Sequence, residues 1–571
     1  MSRAEAEPAG PLDDRGPDSP GAASLPSPSV TPAGAADPHG AFVTLDQGTA
    51  TLAGAIVGRV DGRWRLLAAT ALPAGSDRDA LTRLLVDRLR AADPDLVEAA
   101  LGRPGGGHEL LDLPRLMARS VPAATLAVIA ATERTRALLE EAAAGAGWNV
   151  VAGSAERTDP LELTRMATRP GVAALLVGVA DPPDSDERDL AAELAVAAAG
   201  IAARRPGMRI FLAGPIPEAP LLDILRDPDL VRLAAPARAP GEPAASDLRM
   251  ALADARRGPT DSRRAIAAAA GSLARVLGLR VEILEIGVAG ATRILASPRP
   301  DGGSGVRVEV LEAPEAALFR VSSPGAIDRV DYWFTQGLDR ARLRDRLAEL
   351  AMAPWSDLEG DGALLRGAAL RAALERLLVA TVPVLGDGSV DLVIGAGGAW
   401  SAVPGPAAAH VIADVIRRPG AMQIAIDHAR LLGPIGTIDD DAERDALVAD
   451  LAEDLLLRLG TVVTPRGMRP NRLAGQLALT TSGGRSEVDL VAGGLTLVDL
   501  PPGARGTAEL SFRGTPDLGP RGRRFQIPVT GGLAGLLLDL RDIPLRLPER
   551  PDRRRELLGT WEAALWPERD A

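Results

Sequence analysis

Three glycine-bearing turns, each fed by an apolar strand, carry the residue types that could do chemistry in this 571-residue chain. The first is Leu45-Asp46-Gln47-Gly48-Thr49-Ala50-Thr51. The second is Glu285-Ile286-Gly287-Val288-Ala289-Gly290-Ala291-Thr292, and the third is Val393-Ile394-Gly395-Ala396-Gly397-Gly398. In the first two, an apolar run ends in acid-x-Gly with small or hydroxylated residues and then turns back into a second apolar run. Glycine lets a backbone approach a ligand closely, and the exposed amides of such a turn suit phosphate oxygens. An acid beside them suits a hydrated magnesium ion. The third turn follows the same logic without the acid, and could lie against a base or a ribose. Taken singly, each reads better as a plain tight hairpin; their order and spacing say more together.

The elements that must position these turns are legible as periodic runs. Asp46 leads into the apolar run 53–57, a turn at Asp61-Gly62 and a return run at 64–67. Glu285 leads into 294–296, a turn at Asp301-Gly302-Gly303 and a return run at 306–310, so one hairpin device is used twice. Between them, 77–91 has helical spacing, with Leu81, Leu84, Leu85 and Leu89 on one face. Apolar strands at 124–130, 173–179 and 208–214 alternate with helices at 132–144 and 189–204, which argues for parallel strands joined by helical crossovers. Residues 234–245, rich in Pro and Ala, separate this lobe from the next. Helical runs at 262–277, 338–352, 364–379, 407–418 and 441–458 surround the second and third turns.

After Gly460 the texture changes to short alternating runs punctuated by Gly483-Gly484, Gly493-Gly494, Pro501-Pro502-Gly503 and Gly531-Gly532. These predict a small antiparallel β domain, closed by a helix at 553–566 that is expected to pack on that same domain. Residues 1–40, mostly Pro, Ala, Gly, Ser and Asp without periodicity, read as a disordered tail. The expected organisation is therefore a tail (1–40), a first lobe (41–260), a second lobe (261–465) and a C-terminal β domain with its terminal helix (466–571).

Composition excludes several classes of chemistry. Cysteine is absent, which removes disulfides, thiolate nucleophiles and Cys-based metal sites. Lysine is absent too, so no Schiff base and no lysine-dependent phosphate loop can form. A net charge of −12 argues against nucleic-acid binding, which relies on a basic surface. No run reaches the ~18 apolar residues of a membrane span, and the N-terminus lacks a basic start followed by an apolar stretch. A soluble cytoplasmic protein is expected. The four histidines have no metal-ligand spacing, and no tightly bound metal is expected; His410 and His428 read as satisfied core residues. Gly102–His108 reads as a surface loop. Asp439-Asp440-Asp441 reads as a helix cap, and Arg553-Arg554-Arg555 as a solvated helix start with Asp552 as its cap. Tyr332-Trp333-Phe334 and Trp400 read as core aromatics, although Trp400 could also stack on a base.

Two lobes that each open on an acid-x-Gly hairpin, with a later glycine turn before a helix, resemble the superfamily of sugar kinases, actin and heat-shock chaperones. Within it the chain is most similar to the glutamate mutase L family. The likeness is carried by residues 391–401, by Leu459-Gly460-Thr461-Val462-Val463-Thr464-Pro465, and by the run 529–536 ending at Arg541-Asp542-Ile543-Pro544-Leu545. The resemblance implies a two-lobed actin-like ATPase fold with ribonuclease-H-like α/β lobes and a C-terminal antiparallel β domain, with ATP and magnesium between the lobes. On that basis Asp46, Gly48, Thr49 and Thr51 form a first phosphate loop. Glu285, Gly287, Ala291 and Thr292 form a second, and Gly395, Gly397 and Gly398 form an adenosine turn; Asp46 and Glu285 hold magnesium through waters. The implied role is a nucleotide-binding accessory or reactivating chaperone for an adenosylcobalamin-dependent mutase, a weak ATPase at most and not itself a mutase.

The departures from the family pattern cluster at the chemistry. Leu52-Ala53 stand where the first loop usually runs through hydroxyls to a lysine, and a lost contact of that kind is worth about 1.5–3 kcal/mol. Glu285 replaces an aspartate. Arg293 stands where a small, hydroxylated or acidic residue is usual; it either replaces the missing positive charge or points to solvent. A non-hydrolysing pseudo-ATPase scaffold is the alternative reading. The partner enzyme and the oligomeric state are not set by the sequence.

Overall fold

The structure is a computed structural model that describes residues 40–564, apart from 95–112, 121–123, 237–242, 257–260, 299–304, 320–323, 382–389, 469–471 and positions 147, 181, 182, 184, 227 and 542. The N-terminal tail, the Gly102–His108 stretch and the Asp301-Gly302-Gly303 turn lie outside the described residues.

The acid-x-Gly hairpin appears twice, each time as the start of the same sheet pattern. β1 (Ala41–Gln47), β2 (Thr51–Val60), β3 (Arg63–Pro73) and β4 (Arg115–Arg119) form a sheet in the order β3-β2-β1-β4. The first three strands are antiparallel, and β4 lies parallel to β1. Its core packs Val43, Leu45, Leu52 and Ile56 against Leu81, Leu85, Val86 and Leu89 of the helix Arg78–Ala92, the face that the leucine spacing predicts. Asp77 caps that helix.

The alternating segment that follows forms a sheet of its own rather than extending the first. β5 (Thr125–Ala130), β6 (Asn149–Ser154), β7 (Val172–Gly178), β8 (Arg209–Ala213) and β9 (Leu230–Leu233) are all parallel, in the order β6-β5-β7-β8-β9. Helical crossovers, including Glu133–Gly145 and Ser185–Ala203, join them. The strands read as nearly continuous apolar runs because both faces of a parallel sheet are covered.

The second lobe repeats the first pattern and extends it. β10 (Val281–Ile286), β11 (Ala291–Pro298), β12 (Val306–Ala313), β13 (Leu392–Ala396), β14 (Gly420–Ile426) and β15 (Leu457–Thr464) run in the order β12-β11-β10-β13-β14-β15. Again three antiparallel strands are joined by a fourth parallel to the first. The helix expected over 441–458 stops at Asp450, and its last expected residues belong to β15.

The C-terminal region contributes to two sheets. β16 (Leu473–Thr481), β17 (Gly484–Val491), β19 (Arg505–Phe512) and β20 (Arg524–Thr530) form the expected antiparallel sheet, in the order β17-β16-β19-β20. β18 (Leu495–Val498) and β21 (Leu536–Asp539) instead join the second lobe's sheet beyond β15.

The terminal helix Pro551–Ala564 packs on β18 of its own C-terminal region and also on the second-lobe helix Pro324–Trp333. Leu558 and Trp561 enter the second-lobe core with Val330, Trp333 and Leu347. Of the three arginines expected at a solvated start, Arg553 is exposed, but Arg554 is buried and lies over the Tyr332 ring at 4.7 Å, and Arg555 pairs with Asp331 at 3.2 Å. Asp552 sits inside the first turn, and the capping carbonyl belongs to Arg550. The architecture is thus a two-lobed α/β fold with a C-terminal antiparallel β sheet, each lobe led by the same hairpin. Among the described residues no helix is long and apolar enough to cross a membrane.

Candidate functional site

The two hairpin turns close in the same way. Gly48 N donates to Thr51 O at 2.9 Å in the first, and Gly287 N to Gly290 O at 2.9 Å in the second. Each turn follows the acid at the end of a strand flanked on its other side by a parallel neighbour: Asp46 pairs in register with Ala53 and Ala118, and Glu285 with Thr292 and Ala396. The third turn leaves β13 beside the second. Gly397 has φ +86°, and a Cβ there would stand 2.7 Å from Ile286 O, so only glycine lets the two turns touch.

One cleft gathers eight of the eleven residues singled out in the sequence: Asp46, Gly48, Thr49, Thr51, Glu285, Gly287, Gly397 and Gly398. Ala291, Thr292 and Gly395 do not line it. Ala291 and Thr292 are buried in β11, and Gly395 packs under the Trp400 ring. Trp400 is fully buried and its Nε1 donates to Leu284 O at 2.8 Å, so it serves the core and offers no face to a base.

Sequence reasoning missed the cleft's principal cation. Arg430 follows β14 in the turn Asp427-His428-Ala429-Arg430, with a left-handed backbone at φ +56°. That conformation is uncommon outside glycine and is tolerated where surrounding contacts over-determine it. Its guanidinium places Nε 2.7 Å and Nη2 2.6 Å from Asp46 Oδ2, and its Nη1 donates to Thr51 Oγ1. The same Nη2 lies 2.9 Å from where a Cβ on Gly48 would sit, and Nη1 lies 3.9 Å from the equivalent point on Gly398. A second-lobe arginine therefore occupies the space between the first and third turns. The usable signal was Asp427 at the carboxyl end of a parallel strand, where α/β sheets place ligand contacts.

Asp427 is buried, and its carboxylate caps the short helix Leu432–Ile435, accepting from Leu431 N at 2.8 Å and Leu432 N at 3.2 Å. Burial pushes its pKa up to about 7 against the pull of those two amides, with Asp46 adding to the rise and Arg430 opposing it. Gly436 brings the segment after that helix against the helix Ser262–Leu277; a Cβ there would stand 1.7 Å from Ala265 O. His428, expected in the core, is exposed. His410 is buried as expected, with Nε2 3.1 Å from Asp414.

The acids of the cleft retain open positions. Asp46 Oδ1 and Glu285 Oε2 are buried without a hydrogen-bond partner, and Asp261 Oδ2, beside the cleft-lining Ser262, shares that state. Burial raises the Glu285 pKa, Arg263 opposes the rise, and Asp46 and Glu312 reinforce it. Among the described residues no three acids or histidines converge to ligate a bare metal ion. Two separate carboxylates, each with an open oxygen, fit a magnesium ion that keeps its waters.

Arg293 neither supplies the missing charge nor faces solvent. It is buried, with Nε 2.7 Å from Glu282 Oε1 and Nη1 donating to Thr381 O at 2.8 Å. Glu282 also receives Arg418 at 2.5 and 3.0 Å, and the two guanidinium groups hold its carboxyl below the ordinary range despite burial.

No protein-family model and no curated protein matches the sequence. Solved structures are similar at low scores. Nucleotide-free acetone carboxylase, described with ATP-dependent acetone carboxylation, aligns at 11% identity over 79% of this chain and 81% of its own, with a TM-score of 0.29. Component A of (R)-2-hydroxyglutaryl-CoA dehydratase from Acidaminococcus fermentans aligns at 8% identity over 71% and 99%, with a TM-score of 0.24. The activator of 2-hydroxyisocaproyl-CoA dehydratase from Clostridium difficile, with bound ADPNP, aligns at 9% identity over 71% and 95%, with a TM-score of 0.25. Scores of this size carry no ligand, activity or partner over to this chain.

Proposed function

We propose that the chain is a nucleotide-binding accessory factor that holds ATP in the cleft between its two lobes. The observation that carries this reading is the convergence of three glycine turns, from segments hundreds of residues apart, on one cleft with two partly unsatisfied carboxylates. In that role the turn amides at Gly48, Thr49 and Gly287 and the Thr49 and Thr51 hydroxyls receive phosphate oxygens. Asp46 and Glu285 hold the waters of a magnesium ion, which would screen the phosphate charge. Gly397 and Gly398 leave room for the nucleoside. The resemblance to the glutamate mutase L family extends the reading to a cytoplasmic partner, an adenosylcobalamin-dependent mutase that this chain serves as a reactivating chaperone.

The non-hydrolysing scaffold draws its support from the ion pair between Arg430 and Asp46, which ties up the first loop's acid. Calorimetry on the purified chain tests the primary reading. Micromolar to submillimolar magnesium-ATP binding is expected, lost in Gly398→Leu, whose side chain fills the cleft beside Thr51. Absence of heat in the parent chain, at concentrations that detect millimolar affinity, overturns it. ATP-binding chain that releases no phosphate, alone or with a mutase, is the scaffold.

A further inference from the structure

The first loop carries no cation of its own and the chain contains no lysine, yet the cleft holds a cation supplied from another direction. Arg430 reaches into it from the opposite lobe, on a turn whose left-handed backbone aims the side chain across the gap. Its guanidinium has two kinds of neighbour: the Asp46 carboxylate on one side, and on the other the Gly48–Thr51 turn and Gly398. The second set is the surface that the phosphates contact in the nucleotide reading, on which this inference rests.

We infer that Arg430 reads the nucleotide's phosphates, and does so by exchanging partners: a phosphate oxygen takes the guanidinium from Asp46, and the freed carboxylate turns to the waters of the incoming magnesium ion. A guanidinium binds phosphate and carboxylate with the same planar fork of donors, so the exchange needs a rotation of the side chain and no new group. Asp46 is suited to the hand-over because only Oδ2 is engaged by Arg430, while Oδ1 stands buried and open. The reach across the cleft also couples the exchange to the lobes. The pair ties β1 of the first lobe to the segment after β14 of the second; after the exchange, the tie runs through the ligand.

The exchange predicts opposite effects for the two partners, which a merely structural salt bridge does not. Binding of ATP, ADP and AMP is measured by calorimetry with magnesium and with EDTA, on the parent chain, Arg430→Gln, Arg430→Lys and Asp46→Asn, with thermal melting as a check of folding. Arg430→Gln is expected to weaken ATP about tenfold or more, the loss of one hydrogen bond to a charged group, while AMP changes little, so the ATP-to-AMP preference collapses. Arg430→Lys restores part of that preference. Asp46→Asn frees the arginine, so ATP in EDTA binds more tightly than to the parent chain while the benefit of magnesium disappears.

Arg430→Gln that binds ATP like a normally melting parent overturns the exchange and leaves the nucleotide cleft standing. Equal loss of ATP and AMP, or Asp46→Asn weakened in EDTA, also overturns it, because Arg430 then only holds the cleft's shape. A parent chain that binds none of the three nucleotides removes the exchange together with the nucleotide reading.

Discussion

Arg430 approaches one oxygen of Asp46 with two nitrogens, Nε at 2.7 Å and Nη2 at 2.6 Å, and leaves the other oxygen buried and unpartnered. Both side chains are largely buried, so this is a desolvated pair rather than a surface bridge. A buried pair is weak evidence of stability, since desolvation offsets much of its attraction, but removing one partner strands the other. What distinguishes this one is its place. It spans the two lobes at the mouth of the first glycine turn, where any anion entering the cleft meets the guanidinium.

Asp427 makes the cleft's stability depend on pH. Its folded pKa of about 7 lies above the ordinary aspartate value, so between the two values the folded state holds a proton that the unfolded state has lost. Stability from this group is therefore greatest at low pH and falls as pH rises through that window, by at most about 1.4 kcal/mol per unit. Asp46 and Arg430 are the charged groups that face it and set the upper edge of the window. Denaturant unfolding of the parent chain and Asp427→Asn from pH 4 to 8 checks this. The parent is expected to lose stability relative to the variant up to about pH 7, with a flat difference above; a difference that is constant throughout contradicts the assignment.

Arg293 separates structure from ligand binding. It and Arg418 share the fully buried Glu282, so Arg293→Ala leaves a carboxylate short of one partner and Thr381 O without its donor. A loss of about 3–5 kcal/mol is expected, as for other broken buried pairs. Nucleotide affinity, measured where the variant is still folded, should stay within about twofold of the parent. A selective loss of ATP binding without loss of stability would restore Arg293 as the missing phosphate contact.

The two hairpins were legible because acid-x-Gly followed by an apolar return run is a local pattern, and local pattern fixes hairpin geometry; the third turn was legible as an apolar strand ending in closely spaced glycines. Helix Ser262–Leu277 matched its expected limits because Asp261 caps it and Gly278 ends it in a left-handed conformation. Arg430 was not legible, because its role depends on a pairing across 384 residues and on a backbone conformation with no glycine to mark it. Nor was the sharing of C-terminal strands: β18 and β21 are four-residue strands, and only long-range pairing assigns them to the second lobe's sheet. The terminal helix's share in the second-lobe core was not legible for the same reason, since its apolar face does not say which core it fills.

Gly397 is the point at which the third turn depends on the second. An alanine there must adopt φ +86° and crowd Ile286 O, so the two turns must part. A cost of about 1–3 kcal/mol is expected for a strained residue of this kind. The Gly397→Ala variant should melt earlier and bind nucleotide more weakly, whereas alanine at Gly62, whose Cβ would meet nothing within 4 Å, should pay only its own backbone strain and leave nucleotide affinity unchanged. Calorimetry and melting on the two variants check the contrast, and equal nucleotide affinity in both would detach the third turn from the cleft.

The C-terminal region is fastened to the second lobe by a buried charge network. Asp414 receives Arg371 Nε at 2.5 Å and Arg541 Nη1 at 2.6 Å, with His410 at 3.1 Å. Arg541 also holds Asp539, at the end of β21, and stacks over Trp561 at 4.5 Å. One arginine thus links the helix Gly405–Val415, β21 and the terminal helix. Arg541→Ala leaves two buried carboxylates each short of a partner, and a loss of about 3–5 kcal/mol is expected. Hydrogen exchange should locate the loosening in β18, β21 and the terminal helix, while the amides of β1 and β2 keep their protection. Uniform loss of protection across both lobes would show instead that these strands unfold together with the whole chain.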